Sequence, residues 1–413
     1  MLTLFEKDHY RDVTEIVNVH FLVADEEPLL ATPLTSPPSS PTRRVAVVGC
    51  GGIARGRHLP ALADQGARTS VVALVDLDAA AVERTADEWN VPGRYTDVDA
   101  MLAAESPDLV IVCTPPAAHR DTVIAGLEAG AWVWCEKPPV LSLAEYDRIG
   151  AHEGERGPYA SYVFQHRFGS GATHLRSLLD RRALGRPLVG VCHTLWYRDE
   201  AYFEVPWRAR WETEGGGPSM GHGIHQMDLM FSLLGDWSEV TAVMSTTARA
   251  TETEDVSMAI VRLESGATVS VVNSLLSPRE TSYLRFDFEH ATVELEHLYG
   301  HANANWRWTP AEHTDRTFDA AHWPPRADEP SSHGAQLKEL LDAMDRGERP
   351  AASGRDGRRA LELVAGMYRS ALTGATVRRS ELTEDDPFHH AMYGPDPAAA
   401  TAVLSHQEET AHV

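Results

Sequence analysis

The chain has 413 residues, with 60 Asp and Glu against 37 Lys and Arg, for a formal charge of −23 at neutral pH. That acidic surplus argues against a nucleic-acid or anionic-membrane partner, because both are held by Lys and Arg. The length implies two or three domains. A composition of 43% hydrophobic and 23% charged residues is that of an ordinary globular chain, and no run approaches the roughly 18 apolar residues of a membrane span.

Residues 1–42 read as an N-terminal extension ending in a linker, since 28–42 (PLLATPLTSPPSSPT) holds five prolines among Ser and Thr. Arg43-Arg44 superficially resembles an export signal. The apolar run behind it, Val45 to Val48, breaks at glycine, so a cytoplasmic location is expected. Cys50, Cys113, Cys135 and Cys192 form no C-x-x-C pair and are expected to be reduced, buried thiols.

From Arg43 the pattern is regular. RRVAVVG is a β-branched run ending in glycine, 53–66 reads as a helix, 69–76 as a strand and 78–90 as a helix. A short strand at Arg94-Tyr95, a helix at 98–104, a strand at 108–114, a helix at 117–129 and a strand at 131–137 follow. Short apolar runs alternating with helices imply a doubly wound parallel sheet, an α/β Rossmann domain over 43–163. Beyond Pro138 the strands at 187–198, 238–246, 256–265, 267–277, 283–290 and 291–298 have few helices between them. They imply an α+β domain over 164–380 built on a large, mostly antiparallel open sheet, closed by helices at 335–345 and 357–373. The acidic tail 381–413 is expected to be mobile.

Three motifs carry chemistry. In VAVVGCGGIARG, Gly49, Gly51 and Ala54 form G-x-G-x-x-A at a strand-to-helix turn, with Gly52 and Ile53 inside it. The first glycine permits the turn, the second admits a pyrophosphate, and the small third residue lets helix and strand pack. The next strand ends in Asp76, placed to bind a ribose 2′-hydroxyl. Asp78 follows with no adjacent arginine, so NAD(H) is favoured over NADP(H). Thr114 and Pro115 end the fourth strand at the ligand crevice, and His119 either contacts the nicotinamide ribose or has only a local role. The second motif is Glu136-Lys137-Pro138. The chain has only three lysines, Lys7, Lys137 and Lys338, and arginine cannot pass protons as a lysine can. Lys137 at a cofactor-facing strand end is therefore a candidate acid/base, and Glu136 can orient it or hold the cofactor. The third is the run from Gly215 to Gly217 into a helix with His222, His225 and Asp228 at three-residue spacing. A proton relay beside Lys137, a metal site, and simple packing with Asp228 as a helix-face partner are all open. No fourth ligand is evident, and no metal is assigned.

In this order and spacing the three motifs resemble the glucose–fructose oxidoreductase / inositol dehydrogenase (Gfo/Idh/MocA) family, over about residues 43–375. The resemblance implies hydride transfer between NAD(H) and a secondary alcohol or ketone of a sugar, nucleotide sugar or cyclitol. It maps the acting lysine and histidine onto Lys137 and His225, and implies a homodimer or homotetramer joined through the C-terminal sheet. Family members also include redox-neutral enzymes with tightly bound NAD, and a non-catalytic sugar or dinucleotide sensor is a further alternative. Many members carry Asp or Asn four residues before the histidine; here the position is Gly221, which leaves His222 to take over or the relay simplified. Trp207, Arg208 and Trp211 either approach the ligands or pack.

Overall fold

The computed structural model describes residues 41–312 and 325–405; the extension at 1–40 and the end of the tail at 406–413 lie outside the described residues. The first sheet consists of β1 (Arg43–Val48), β2 (Thr69–Val75), β3 (Gly93–Tyr95), β4 (Leu109–Val112), β5 (Trp132–Cys135) and β6 (Ala160–Tyr162). All are parallel, in the order β3-β2-β1-β4-β5-β6. Val45–Val48 and Leu109–Val112 are buried without alternation, as central strands covered by helices on both faces must be. Strand order reverses between β1 and β4, and the C-terminal ends there form the crevice where such sheets bind ligands.

The second sheet has β7 (Pro187–Tyr197), β8 (Trp237–Ser245), β9 (Val256–Leu263), β10 (Thr268–Ser274), β11 (Leu276–Phe288), β12 (Ala291–Glu296), β13 (Trp306–Pro310) and β14 (Val377–Arg378). Its order is β13-β12-β11-β7-β10-β9-β8-β14, antiparallel except for the β7–β10 pair. The helix Ile224–Leu234, buried except at Leu233, lies against β7, and the helix Gly354–Thr373 lies against β8. β9 alternates strictly, its inner residues buried while Met258 and Ile260 point outward at 54% and 57% exposure. The four cysteines are free and buried, and no described helix is long and apolar enough to cross a membrane.

Two boundaries differ from the sequence expectation. Residues 164–380 do not pack as one block: on the helix His333–Arg346, Leu337, Leu340, Leu341 and Met344 join the core of Val45, Val47, Leu59 and Leu62 under the first sheet. A stripe of leucines at helical spacing shows that a helix is buried, not which sheet buries it. The tail expected to be mobile is folded as far as Ser405. Helices Pro387–His390 and Pro397–Ser405 bury Phe388 and Leu404, with Met392 buried between them, while Leu404 O accepts 3.1 Å from Thr246 N–H. Acidic composition hid these few apolar anchors. The predicted helix 53–66 also begins irregularly, with a π-helical turn at Ala54–His58 before Leu59–Asp64.

Candidate active site

A cleft of about 990 Å³ runs from the glycine turn after β1 to the second sheet. At the turn Gly49 has φ +97°, and a Cβ there would lie 2.8 Å from the Cys113 carbonyl, so only glycine lets β1 and β4 approach. Gly51 and Gly52 have empty space where a Cβ would stand and, with Ile53, line the cleft. Ala54 is fully buried and does not reach the cleft; its contribution is close helix packing. The open glycine face and the N–H groups of the following turn fit a pyrophosphate.

Asp76, at the end of β2, lines the cleft and braces the turn, its carboxylate accepting 2.7 Å from Cys50 N–H and 3.0 Å from Asp78 N–H. Thr114 and Pro115 line the cleft as expected. His119 does not. It is fully buried, with Nδ1 3.0 Å from Pro138 O and Nε2 2.8 Å from Thr114 O. Both ring nitrogens face carbonyls and the one that carries the proton donates, so the buried ring serves as a tie between the β4 and β5 ends and does not line the cleft.

The Glu136 carboxylate is clamped. Its Oε1 lies 2.7 Å from His58 Nε2 and 3.3 Å from His333 Nε2, and its Oε2 accepts 3.3 Å from the Lys137 N–H. Burial acts to raise this carboxyl's pKa, but the hydrogen bonds from His333 and His58 outweigh it and hold the group well below the usual carboxylate range. Among the described residues this is also the one buried His/Glu cluster with metal-like spacing. The 2.7 Å contact is a hydrogen bond, and among the described residues His58 Nδ1 has no partner to orient a metal-bound ring.

Lys137 follows, with Nζ donating 2.6 Å to Gly221 O across the cleft. Burial lowers its pKa, opposed by Glu136 and Glu214 and reinforced by Arg208 and Arg198. His222 and His225 are buried and lie well below the usual histidine range, first through burial and then through the Lys137 charge. Both rings are therefore neutral. His222 Nε2 is 3.2 Å from Tyr202 Oη, whereas His225 Nδ1 is buried with no hydrogen-bond partner among the described residues. Both rings line the cleft. Asp228 is not part of the group: Arg167 holds it in a two-pronged ion pair, Nε to Oδ2 at 2.5 Å. That excludes His222, His225 and Asp228 as a metal site and fits the helix-face-partner reading of Asp228.

The glycine run 215–217 serves packing. A Cβ on Gly216 would strike Tyr368 Oη at 2.1 Å and one on Gly217 would strike Glu254 O at 1.9 Å. Buried Glu254 accepts from Gly217 and Ser219 N–H at 3.1 Å and from Tyr368 Oη at 2.6 Å. It thereby anchors the π-helical turn Ser219–Gly223 that carries His222. Sequence reasoning missed several residues of the cleft wall, among them Trp196, Arg198, Tyr202, Glu214 and Tyr299. Trp207 and Arg208 also line it, while Trp211 is buried and donates 3.0 Å to Thr401 Oγ1.

A glycine turn at the switch point of a parallel sheet, opening on a cleft closed by a second sheet, defines a two-domain oxidoreductase of the Rossmann type. Residues 43–163 match the oxidoreductase family GFO_IDH_MocA with an NAD-binding Rossmann fold, and residues 172–294 match the GFO/IDH/MocA C-terminal domain. Together the matches cover more than half of the chain, and it belongs to the Gfo/Idh/MocA family. It is 28% identical over 363 residues to D-apiose dehydrogenase of Paraburkholderia graminis (83% of this chain, 91% of the relative). It is 25% identical over 338 residues to D-xylose 1-dehydrogenase (NADP(+)) 2 of Haloferax volcanii (80% of this chain, 98% of the relative). Its fold is similar to the WlbA dehydrogenase of Bordetella pertussis in complex with NADH and UDP-GlcNAcA, with TM-score 0.72, 25% identity, and 82% and 98% of the two chains covered.

Proposed function

We propose that the protein is an NAD(H)-dependent dehydrogenase acting on a secondary alcohol, or the matching ketone, of a small polyhydroxylated substrate: a sugar, nucleotide sugar or cyclitol. The observation that carries this reading is Lys137 reaching Gly221 O on the wall that also bears His225, in the cleft that the glycine turn opens. The nicotinamide group, when bound, supplies the hydride acceptor or donor. Gly49, Gly51, Gly52 and Ile53 would hold its pyrophosphate. Asp76 would hold the adenosine ribose, and with Asp78 nearby it favours NAD(H) over NADP(H), because a 2′-phosphate would meet like charge. Thr114, Pro115 and Glu136 flank the inner part of the cleft.

Oxidation of a carbinol removes a hydride from carbon and a proton from oxygen. Lys137, which burial biases toward its neutral amine, and the neutral His225 both face the cleft and hydrogen-bond the hydroxyl; the single proton goes to one of them, Lys137 in its neutral form or His225. His222, tied to Tyr202, orients the substrate. Trp196, Tyr202, Trp207 and Tyr299 give it apolar faces against which the C–H surface of a sugar ring stacks. Two copies associate through the outer face of β8 and β9, where Val243, Met258 and Ile260 are exposed.

The test is to mix the purified chain with NAD+ and a panel of myo-inositol, D-glucose, D-xylose and D-glucuronate, following NADH absorbance. NADH formation with one of them is expected. Product formed without net NADH, and without added NAD+, would favour the redox-neutral alternative instead.

A further inference from the structure

Gly221 sits in the π-helical turn that also carries His222, and its carbonyl receives the Lys137 ammonium. Its φ is not in the left-handed region, so the backbone does not require glycine here. Packing does not require it either. Whereas a Cβ on Gly217 or Gly223 would collide at 1.9 Å with Glu254 O or Asn273 Oδ1, a Cβ on Gly221 would have one neighbour, the Glu214 carboxylate, with Oε1 at 3.3 Å and Cδ at 4.0 Å. The absence of a side chain at 221 is space that Glu214 uses.

Glu214 is built into that position. Its Oε2 accepts 2.6 Å from Ala209 N–H, and its Oε1 accepts 3.2 Å from Arg208 Nη1. Arg208 also donates to Tyr202 Oη, the group facing His222. The Glu214 side chain is only 7% exposed, yet it lines the cleft with Lys137, His222 and His225. An ionised carboxylate has about four lone-pair directions, and two are taken here.

We infer that Glu214 contacts the substrate, accepting a hydrogen bond from a hydroxyl next to the reacting carbinol and so filling from position 214 the place of a side chain that residue 221 lacks. The inference deepens the dehydrogenase reading and rests on it. Burial raises the Glu214 pKa, with Arg208 and Lys137 opposing, and an acceptor-only group of this kind selects polyols that present a hydroxyl to it.

The experiment compares the full-length wild type with Glu214→Gln, Glu214→Ala, Gly221→Asp and the double variant Glu214→Ala/Gly221→Asp. It uses NAD+ and whichever panel polyol is turned over. Glu214→Gln keeps an oxygen for Ala209 N–H but replaces the other oxygen with an amide nitrogen, so it should fold and yet lose roughly ten- to hundredfold in kcat/KM for the polyol, as expected for a lost charged hydrogen bond. The KM for NAD+ should not move. Gly221→Asp should also be impaired, because two carboxylates crowd one space. The double variant should recover at least about tenfold over Glu214→Ala. Undiminished kcat/KM in Glu214→Gln, or a double variant no better than Glu214→Ala, overturns the inference while leaving the dehydrogenase reading intact. A wild type that neither oxidises nor, by calorimetry with NADH present, binds any panel member overturns both.

Discussion

The Lys137 ammonium donates a 2.6 Å hydrogen bond to the main-chain carbonyl of Gly221, 84 residues further along the chain. One end of that bond is the C-terminal edge of the Rossmann sheet, and the other is the turn that carries His222 and leads into the helix bearing His225. A fixed donor at a strand end therefore faces two imidazoles, His222 on the turn and His225 on the helix that follows, across one cleft. Lys137→Arg keeps a cation for Gly221 O but cannot release its proton at working pH, while Lys137→Met removes both functions. Both are expected to lose about 10²- to 10⁴-fold in kcat with NADH binding retained by fluorescence. Near-wild-type turnover in Lys137→Arg would sink the proton-carrier assignment.

The clamp on Glu136 predicts an electrostatic effect at a distance. His333→Ala removes one donor from Oε1, so Glu136 protonates more readily, and the field that raises the Lys137 pKa weakens. The acid limb of the kcat/KM profile should then move to lower pH, with a stability cost of about 1–3 kcal/mol. Stability loss with an unmoved profile would make His333 a packing residue only.

Glu254 should make itself felt in the pH dependence of stability. Burial lifts its pKa to about 7, above the 4.5 of an exposed glutamate, despite hydrogen bonds from Tyr368, Ser219 and Gly217. The folded state therefore holds the proton longer than the unfolded chain, and Glu254 contributes a loss of stability as pH rises from about 4.5 to 7. Glu254→Gln, neutral throughout, should lack that component, so the difference in denaturation midpoint between variant and wild type should shift in the variant's favour across this window. Buried histidines contribute equally to both proteins and cancel. A difference that is flat with pH would contradict the assignment.

Cofactor choice is tested at Asp76. Asp76→Asn keeps an oxygen for Cys50 N–H and removes the charge expected to repel a 2′-phosphate. The wild type should prefer NAD+ over NADP+ by more than about tenfold in kcat/KM, and the variant should lose about tenfold of that preference. Equal use of both dinucleotides by the wild type would overturn it.

On the outer sheet face Val243 pairs across strands with Met258, at 57% and 54% exposure, and Ile260 lies two residues along at 57%. Met258→Glu together with Ile260→Glu is expected to lower the mass found by sedimentation to that of one chain. A wild type already sedimenting as a single chain would rule out this interface.

The glycine turn, Asp76, the Thr114-Pro115 strand end and Lys137 are all legible in the sequence alone. Each is fixed by local offsets, the end of an apolar run followed by a turn residue and a helix, and parallel sheets place such ends on one crevice. The same reasoning leaves His119 open between a ribose contact and a local role, because a helix-start histidine looks alike whether it faces a ligand or two carbonyls. The partners that set the chemistry leave no local trace. His58 and His333 meet Glu136 from 78 and 197 residues away, and Glu214 stands out only through the empty space beside Gly221. Among the three lysines of this acidic chain, composition and strand pattern were enough to single out Lys137. Only folding decided what surrounds it, because burial, hydrogen-bond direction and electric field depend on segments that the sequence keeps far apart.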